Sequence, residues 1–299
     1  MRLFHCFLLL LLNSSAALAN HILGGYIQAK RVSNTSLTYE ITVRMYYDPA
    51  FRDGEAPTAR DITICLGDGA SILLGPTRLI PWSVDPKSLS INEYTSVYTY
   101  AGPGTYTIQA TTFNRSGATN LGTSESVFLV KTTFSAIPYL GTNSTHMLAL
   151  PSYGIQLVAN QRAVLNMAAT DPENDSLAYV LSAPITSVDS QTANLCNTAI
   201  PVSLYRFPND VNHVGIYRLN AKTGLLTWDS PTEQGRYVIA LTVSEWRNGV
   251  NISETRQELT LTVVDKGGTP VTPPPYEPAV AGFLTAVDNN APDELKLTV

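Results

Sequence analysis

An acidic turn in the second half of the chain carries the residues best suited to chemistry. Four side-chain oxygen donors fall within five residues, between two apolar segments: Asp171, Glu173, Asn174 and Asp175. Calcium binds about six to eight hard oxygen ligands in a flexible arrangement, and backbone carbonyls can complete such a set. The pattern therefore predicts a calcium site. An Asx-type turn, whose side chains cap backbone amides and face solvent, is the alternative.

Catalytic motifs are missing from the sequence. The histidines that follow the apolar N-terminal run, His21, His146 and His213, lie far apart. No His-Glu-x-x-His pattern, Gly-x-Ser-x-Gly elbow or Gly-rich phosphate loop occurs. The sequence thus predicts a protein that is not an enzyme. A secreted hydrolase, whose acidic pair would form only on folding, is a less favoured alternative.

Aromatic side chains offer a second kind of site, a stacking platform for sugars. Trp246 follows a glutamate near a turn, which favours partial exposure, and it is grouped here with Tyr46, Tyr47 and Trp82 as a candidate contact surface. An aromatic that is half-buried at a sheet edge would have the same sequence context. These residues carry the alternative interpretation of the chain as a carbohydrate-binding module.

Strict alternation of apolar and polar residues predicts the elements that position these groups. In residues 37–45 the apolar side chains fall on every second position, as in a half-buried strand. Similar runs occupy 105–113 and 126–134, and further strands are predicted at 163–167, 177–181, 215–219, 225–228, 237–243 and 259–264. Short strands separated by Gly, Pro and Asn indicate an all-β sandwich architecture with few, short helices.

The first residues predict export. Arg2, an apolar run from Leu3 to Leu12 and the small residues before Asn20 have the features of a signal peptide at 1–19. We expect no transmembrane span after its removal. Without Arg2 the chain has 18 basic and 24 acidic side chains, a net charge of −6. That balance argues against nucleic acid or an anionic membrane as partner, because no basic stripe is available to neutralise phosphates.

The length predicts two domains. A boundary is expected near 136–143, which divides the chain into a first sandwich at 20–136 and a second at 137–266. A proline-rich linker, extended and semi-rigid, is predicted at 267–278, and a tail at 279–299.

Two cysteines remain after the leader, Cys65 and Cys196, one in each half. An exported protein can oxidise such a pair, and a disulfide requires Cα atoms within about 7 Å of each other. Two buried, unreactive thiols are the alternative.

Several short blocks carry a resemblance to a known group. They are NHILGGYI (20–27), GPGTYTIQ (102–109), AATDPENDSLAY (168–179), TGLLTWDSP (223–231), RYVIALTVSEWRNG (236–249) and ELTLTVV (258–264). In this order they resemble the N-terminal part of exported Bacteroidetes surface proteins with PKD-like and cadherin-like domains, often described as gliding-motility-associated. The resemblance covers roughly residues 20–265.

The resemblance implies two consecutive antiparallel β-sandwiches, the first PKD-like or Ig-like and the second cadherin-like. It also implies a secreted protein on the outer surface of a Gram-negative bacterium, acting as a structural or adhesion module toward a surface protein or polysaccharide. Trp228 would pack between the sheets, and Asp229 would be a distant calcium ligand. Asp265 is followed by Lys266 and two glycines, which departs from the cadherin linker and puts calcium at that end in doubt.

Overall fold

The computed structural model describes residues 22–48, 61–82, 89–122, 127–148, 156–188, 196, 198–265, 267 and 270–281. The leader, His21 and the last residues of the tail lie outside these ranges, as does the side chain of Trp82. The described part is all-β, as the sequence predicts. It contains no α-helix, and its helical elements are the short 3-10 helices Pro138–Leu140 and Pro208–Asp210.

Long strands dominate the first part of the chain. They are β1 Ile22–Arg31, β2 Thr38–Tyr47, β3 Ile62–Cys65, β4 Ser71–Leu74, β5 Arg78–Trp82, β6 Leu89–Thr99, β7 Gly104–Phe113 and β8 Val127–Ala136. The alternation predicted for 37–45 is confirmed, because Tyr39, Ile41 and Val43 are all fully buried in one cluster.

The second part combines short strands with one long hairpin. Its strands are β9 Met147–Leu148, β10 Gln156–Val158, β11 Ala163–Asn166, β12 Ala169–Thr170, β13 Ser176–Ser182, β14 Ile185–Ser187, β15 Ala199–Pro201, β16 Ile216–Leu219, β17 Leu225–Asp229, β18 Gly235–Arg247 and β19 Val250–Val264. Asn248 and Gly249, with φ of 52° and 78°, connect β18 to β19. Two successive residues with positive φ are what a tight hairpin turn of Asn-Gly type requires.

Strand β19 joins the two parts of the chain in one large, curled and mostly antiparallel sheet. Its order is β4-β3-β7-β8-β19-β1-β2-β6-β5, and β18 and β10 also pair with β19. Strands β8 and β19 are paired only from Ser253 to Thr255 and then separate. Beyond that point β19 continues beside β1, while β8 meets β14. The sheet therefore branches where the two parts meet.

Two hydrophobic clusters fill the interior. One consists entirely of residues between 22 and 136. The other mixes residues 148–263 with Leu23, Tyr26, Tyr46 and Ile91 from the first part. Strands β1 and β2 contribute to both clusters, so neighbouring side chains of one strand enter different cores.

A disulfide adds a covalent connection. Cys65 on β3 is bonded to Cys196, across 131 residues, with Cα atoms 5.6 Å apart. Of the two alternatives that the sequence left open for these cysteines, the structure shows the disulfide.

The proline-rich segment packs against the second part of the chain. The Glu277 amide donates to the Gly215 carbonyl at 3.2 Å, and the Asn209 side chain donates to the Glu277 carbonyl at 2.7 Å. Tyr276 donates to Asp210, and Ala279 contacts the hydrophobic cluster. Because β16 is the last strand of its small sheet, this segment covers an otherwise open edge. Packing thus extends to Ala279, within the segment after 266 that the sequence assigned to a linker and a tail.

Candidate acidic site at the junction

The acidic turn follows a short ladder between β12 and β9, in which Thr170 pairs with Met147. Asp171 Oδ1 accepts hydrogen bonds from the Glu173 amide at 3.0 Å and the Asp175 amide at 2.7 Å. Asn174 takes a positive φ of 64°, which asparagine tolerates better than most residues. The Asx-type capping, the alternative interpretation of this turn, is thus present, but Asp171 is buried and only one of its oxygens is used.

Three carboxylates converge at this turn. One oxygen each from Asp171, Glu173 and Asp175 lies within 4.8 Å of the others. Asp171 is 7% exposed, and its Oδ2 is buried without a hydrogen-bond partner. Burial raises the pKa of Asp171 to about 6; the Asp175 amide opposes this shift, and nearby carboxylates add to it. A buried oxygen without a donor in a negative field is a favourable position for a cation.

Arg247, at the end of β18, neutralises part of this charge. Its guanidinium donates to both oxygens of Asp175, at 2.8 and 2.5 Å. It also donates to the carbonyls of Leu140 and Thr142, at 2.7 and 3.0 Å. The same side chain thus holds the acidic turn and the segment that leads from the first part into the second.

The connecting segment, residues 140–146, is also hydrogen-bonded to β1. The Thr145 amide donates to the Ala29 carbonyl at 2.8 Å, and the Ala29 amide donates to Thr145 Oγ1 at 2.9 Å. The Ser144 amide donates to Glu173 Oε2 at 3.1 Å. The acidic turn therefore contacts the junction between the two parts of the chain.

A buried histidine and glutamate lie beside the turn. His146 and Glu245 have fully buried side chains, with Nδ1 and Oε1 2.6 Å apart, and the His146 amide donates to the same oxygen. Asn143 approaches the other oxygen of Glu245 at 3.3 Å. The partners are 99 residues apart in sequence, so no local motif identified them. Because neither side chain reaches solvent, this pair is not open to a substrate.

Glu245 should make the fold more stable at neutral than at acidic pH. Burial alone would raise its pKa, but the hydrogen bonds and charge of His146 hold the pKa below the ordinary value of 4.5. A carboxyl whose pKa falls on folding adds stability above its unfolded pKa, and this is lost as the pH falls through the folded pKa. We expect Glu245→Gln to flatten the decline in the free energy of unfolding below about pH 4.5.

Denaturant titrations across the acidic range measure that slope. Glu233→Gln is the matched control, because Glu233 is exposed on the loop before β18. Identical slopes for the two variants would contradict the role of Glu245.

The structure brings together only some of the predicted ligands. Asp171, Glu173 and Asp175 form the cluster, and Asn174 is exposed beside them. Asp229 lies at the far end of β17, where its carboxylate is 3.6 Å from Arg162 and bonded to Ser230. Asp229 therefore does not belong to the cluster of Asp171, Glu173 and Asp175.

The predicted aromatic surface is not formed by the residues described. Trp246, expected to be partly exposed, lies on β18 between β13 and β19 and is 7% exposed, so that expectation is wrong. Tyr46 and Tyr47 are also buried. Trp228 is buried in the core, as the resemblance implied.

Comparison with protein-family models, with curated proteins and with solved structures finds no match. Among the described residues, no helix has the length and apolarity needed to cross a membrane.

Proposed function

We propose that this protein is an exported cell-surface module, structural or adhesive, whose acidic turn binds calcium. The observation that carries the proposal is the unpartnered, buried Oδ2 of Asp171 within a group of three carboxylates. Glu173 of the turn accepts a hydrogen bond from Ser144 in the segment that connects the two parts of the chain, and Arg247 links Asp175 to Thr142 in the same segment. A cation there would stiffen the junction, which suits a protein that transmits force between a cell and a partner.

The finer organisation belongs to the same proposal. Residues 20–136 would form a PKD-like or Ig-like sandwich and residues 137–266 a cadherin-like one, on the outer surface of a Gram-negative bacterium. The cluster formed entirely by residues between 22 and 136 supports a first unit there. The second unit would share part of its core with β1 and β2 and pair its strand β19 with strands of the first. The protein would have no catalytic activity, and its partner would be a surface protein or a polysaccharide. Several tethered copies would strengthen individually weak contacts.

Calcium should raise the melting temperature. A ligand that binds only the folded state adds RT ln(1 + [L]/Kd), about 2.7 kcal/mol at 100 times Kd. For a protein of this size we expect an upward shift of several degrees. Asp171→Asn should abolish most of the shift, because the buried oxygen that faces the cation loses its charge.

Thermal unfolding with calcium and with chelator measures this effect. Asp229→Asn is the matched control, since Asp229 lies in the same part of the chain but away from the cluster. It should leave the calcium shift intact. Equal melting temperatures of the unaltered protein with calcium and with chelator would refute the proposed site.

The alternative functions have less support. The aromatic residues on which a carbohydrate-binding module was predicted are buried wherever their side chains are described. A hydrolase would need an accessible acid, base or nucleophile, and the buried pair of His146 and Glu245 does not provide one.

A further inference from the structure

Residues 276–280, here called the strap, cover the outer edge of β16 with few apolar contacts. They are exposed except for Ala279, which is half-buried against the hydrophobic cluster. A cavity of about 270 Å³ remains between the strap, β13 and β16, lined by Leu181, Leu219 and Val280 among others. Because buried apolar area is the main source of packing energy, release of the strap loses little of it.

Specific polar contacts hold the strap instead. The Tyr276 hydroxyl donates to Asp210 at 2.9 Å. Arg218 donates to both carboxylate oxygens of Glu277 at 2.8 Å. Asn209 donates to the Glu277 carbonyl at 2.7 Å, while its own Oδ1 is buried without a hydrogen-bond partner. Such bonds select this segment, but they exchange with bonds to water at a small net cost.

A proline-rich arm, residues 270–275, precedes the strap. Its sequence, PVTPPP, contains four prolines, which have no amide to donate and keep the backbone extended and semi-rigid. The Val271 amide donates to the Asn160 carbonyl at 2.9 Å, in the loop before β11. At about 3.1 Å per residue an extended arm of this length covers about 19 Å. A released strap can therefore reach the β16 of a neighbouring molecule.

Release of the strap leaves β16 as an unpaired edge. Within the described residues, β16 is the last strand of the small sheet, in the order β11-β17-β16. The Gly215 carbonyl accepts from the Glu277 amide at 3.2 Å, and Ile216 forms a β-bridge with Glu277, so both lose their partner. Unpaired edge groups are a template for a strand from another chain. The segment with all the complementary groups is the strap of a second copy.

We propose that copies of this protein exchange straps, so that residues 276–280 of one copy lie on β16 of another. The strap makes the same contacts in both arrangements, so association costs mainly the loss of free movement and is promoted by high local concentration. Copies held side by side on a surface meet that condition. The inference goes beyond the proposed function, because it names a second copy of the chain as a partner and does not involve calcium.

The test is disulfide trapping between two single variants, Ile216→Cys and Glu277→Cys. These positions are opposite each other in a β-bridge. Neighbouring strands lie about 4.8 Å apart, and a disulfide requires Cα atoms within about 7 Å. The two variants are mixed under mild oxidation, and the linked peptides are identified by mass spectrometry. Neither variant can form a 216–277 linkage within one chain, so this linkage reports an exchanged strap. Lys222→Cys, exposed on the turn before β17, replaces Ile216→Cys in the matched control.

The 216–277 linkage should form with about ten times the yield of the 222–277 linkage or more, because docking holds the two thiols together. Its yield should rise with protein concentration. Should Ile216→Cys fail to fold, Arg218→Cys takes its place, since the exposed Arg218 side chain is bonded to Glu277. Equal yields of the 216–277 and 222–277 linkages would overturn the inference. Linkage between two 216 positions would overturn it as well, because it indicates that the β16 edges of two copies pair directly. A third contrary result is a double variant, Ile216→Cys with Glu277→Cys, that closes within one chain while the single variants never join.

Discussion

Arg115→Met is expected to lower the free energy of unfolding by about 3–5 kcal/mol, because it leaves a buried carboxylate without its counter-charge. Arg115 is fully buried and donates to both oxygens of Glu258 at 2.6 Å. It also donates to the Val127 carbonyl at 3.1 Å and to the Ile185 carbonyl. One side chain therefore connects β8, β14 and β19 at the branch of the sheet.

Chemical denaturation of the variant measures this loss. The control is Arg218→Met, which breaks the ion pair between Arg218 and Glu277. These two side chains are 64% and 52% exposed. Exposed pairs contribute about 0–1 kcal/mol, so this change should be small. Arg115→Met combined with Glu258→Leu should recover part of the loss, since no charge is then left in the interior. Equal effects of Arg115→Met and Arg218→Met would show that Arg115 is not needed to neutralise Glu258.

Removal of the disulfide is expected to cost about 2–4 kcal/mol of stability. The bond closes a loop between residues 131 apart, and in the chain-entropy account a long closed loop restricts the unfolded state strongly. The double variant Cys65→Ala, Cys196→Ala avoids leaving a free thiol.

The denaturation midpoint of this double variant should fall below that of the oxidised protein and match that of the reduced protein. Since Cys65 is 5% exposed on β3, a part of the loss will come from packing around the smaller side chain. Agreement between the oxidised protein and the double variant would contradict a stabilising role for the bond.

The sequence alone predicted the acidic turn and a part of the strands, among them β2, β7 and β17, because both depend on neighbours along the chain. It did not predict β1, β3 or the short strands β9 and β12. Alternation with period two places one face of each strand in the core, and this holds for Tyr39, Ile41 and Val43. The Asx turn at Asp171 forms through amides two and four residues later. Such contacts need no distant partner, so composition and spacing were enough to predict them.

Only the tertiary structure decided the partners of these local units. Glu245 and His146 are 99 residues apart, and Arg115 and Glu258 are 143 apart. The burial of Trp246, the pairing of the cysteines and the placement of β19 between β8 and β1 depend likewise on chain segments that meet after folding. The alternation of side chains along a strand determines which face of the sheet each residue is on, but it does not determine which strand pairs with it. That choice is made by the packing of whole sheets, because it depends on the total apolar area buried and the charges neutralised.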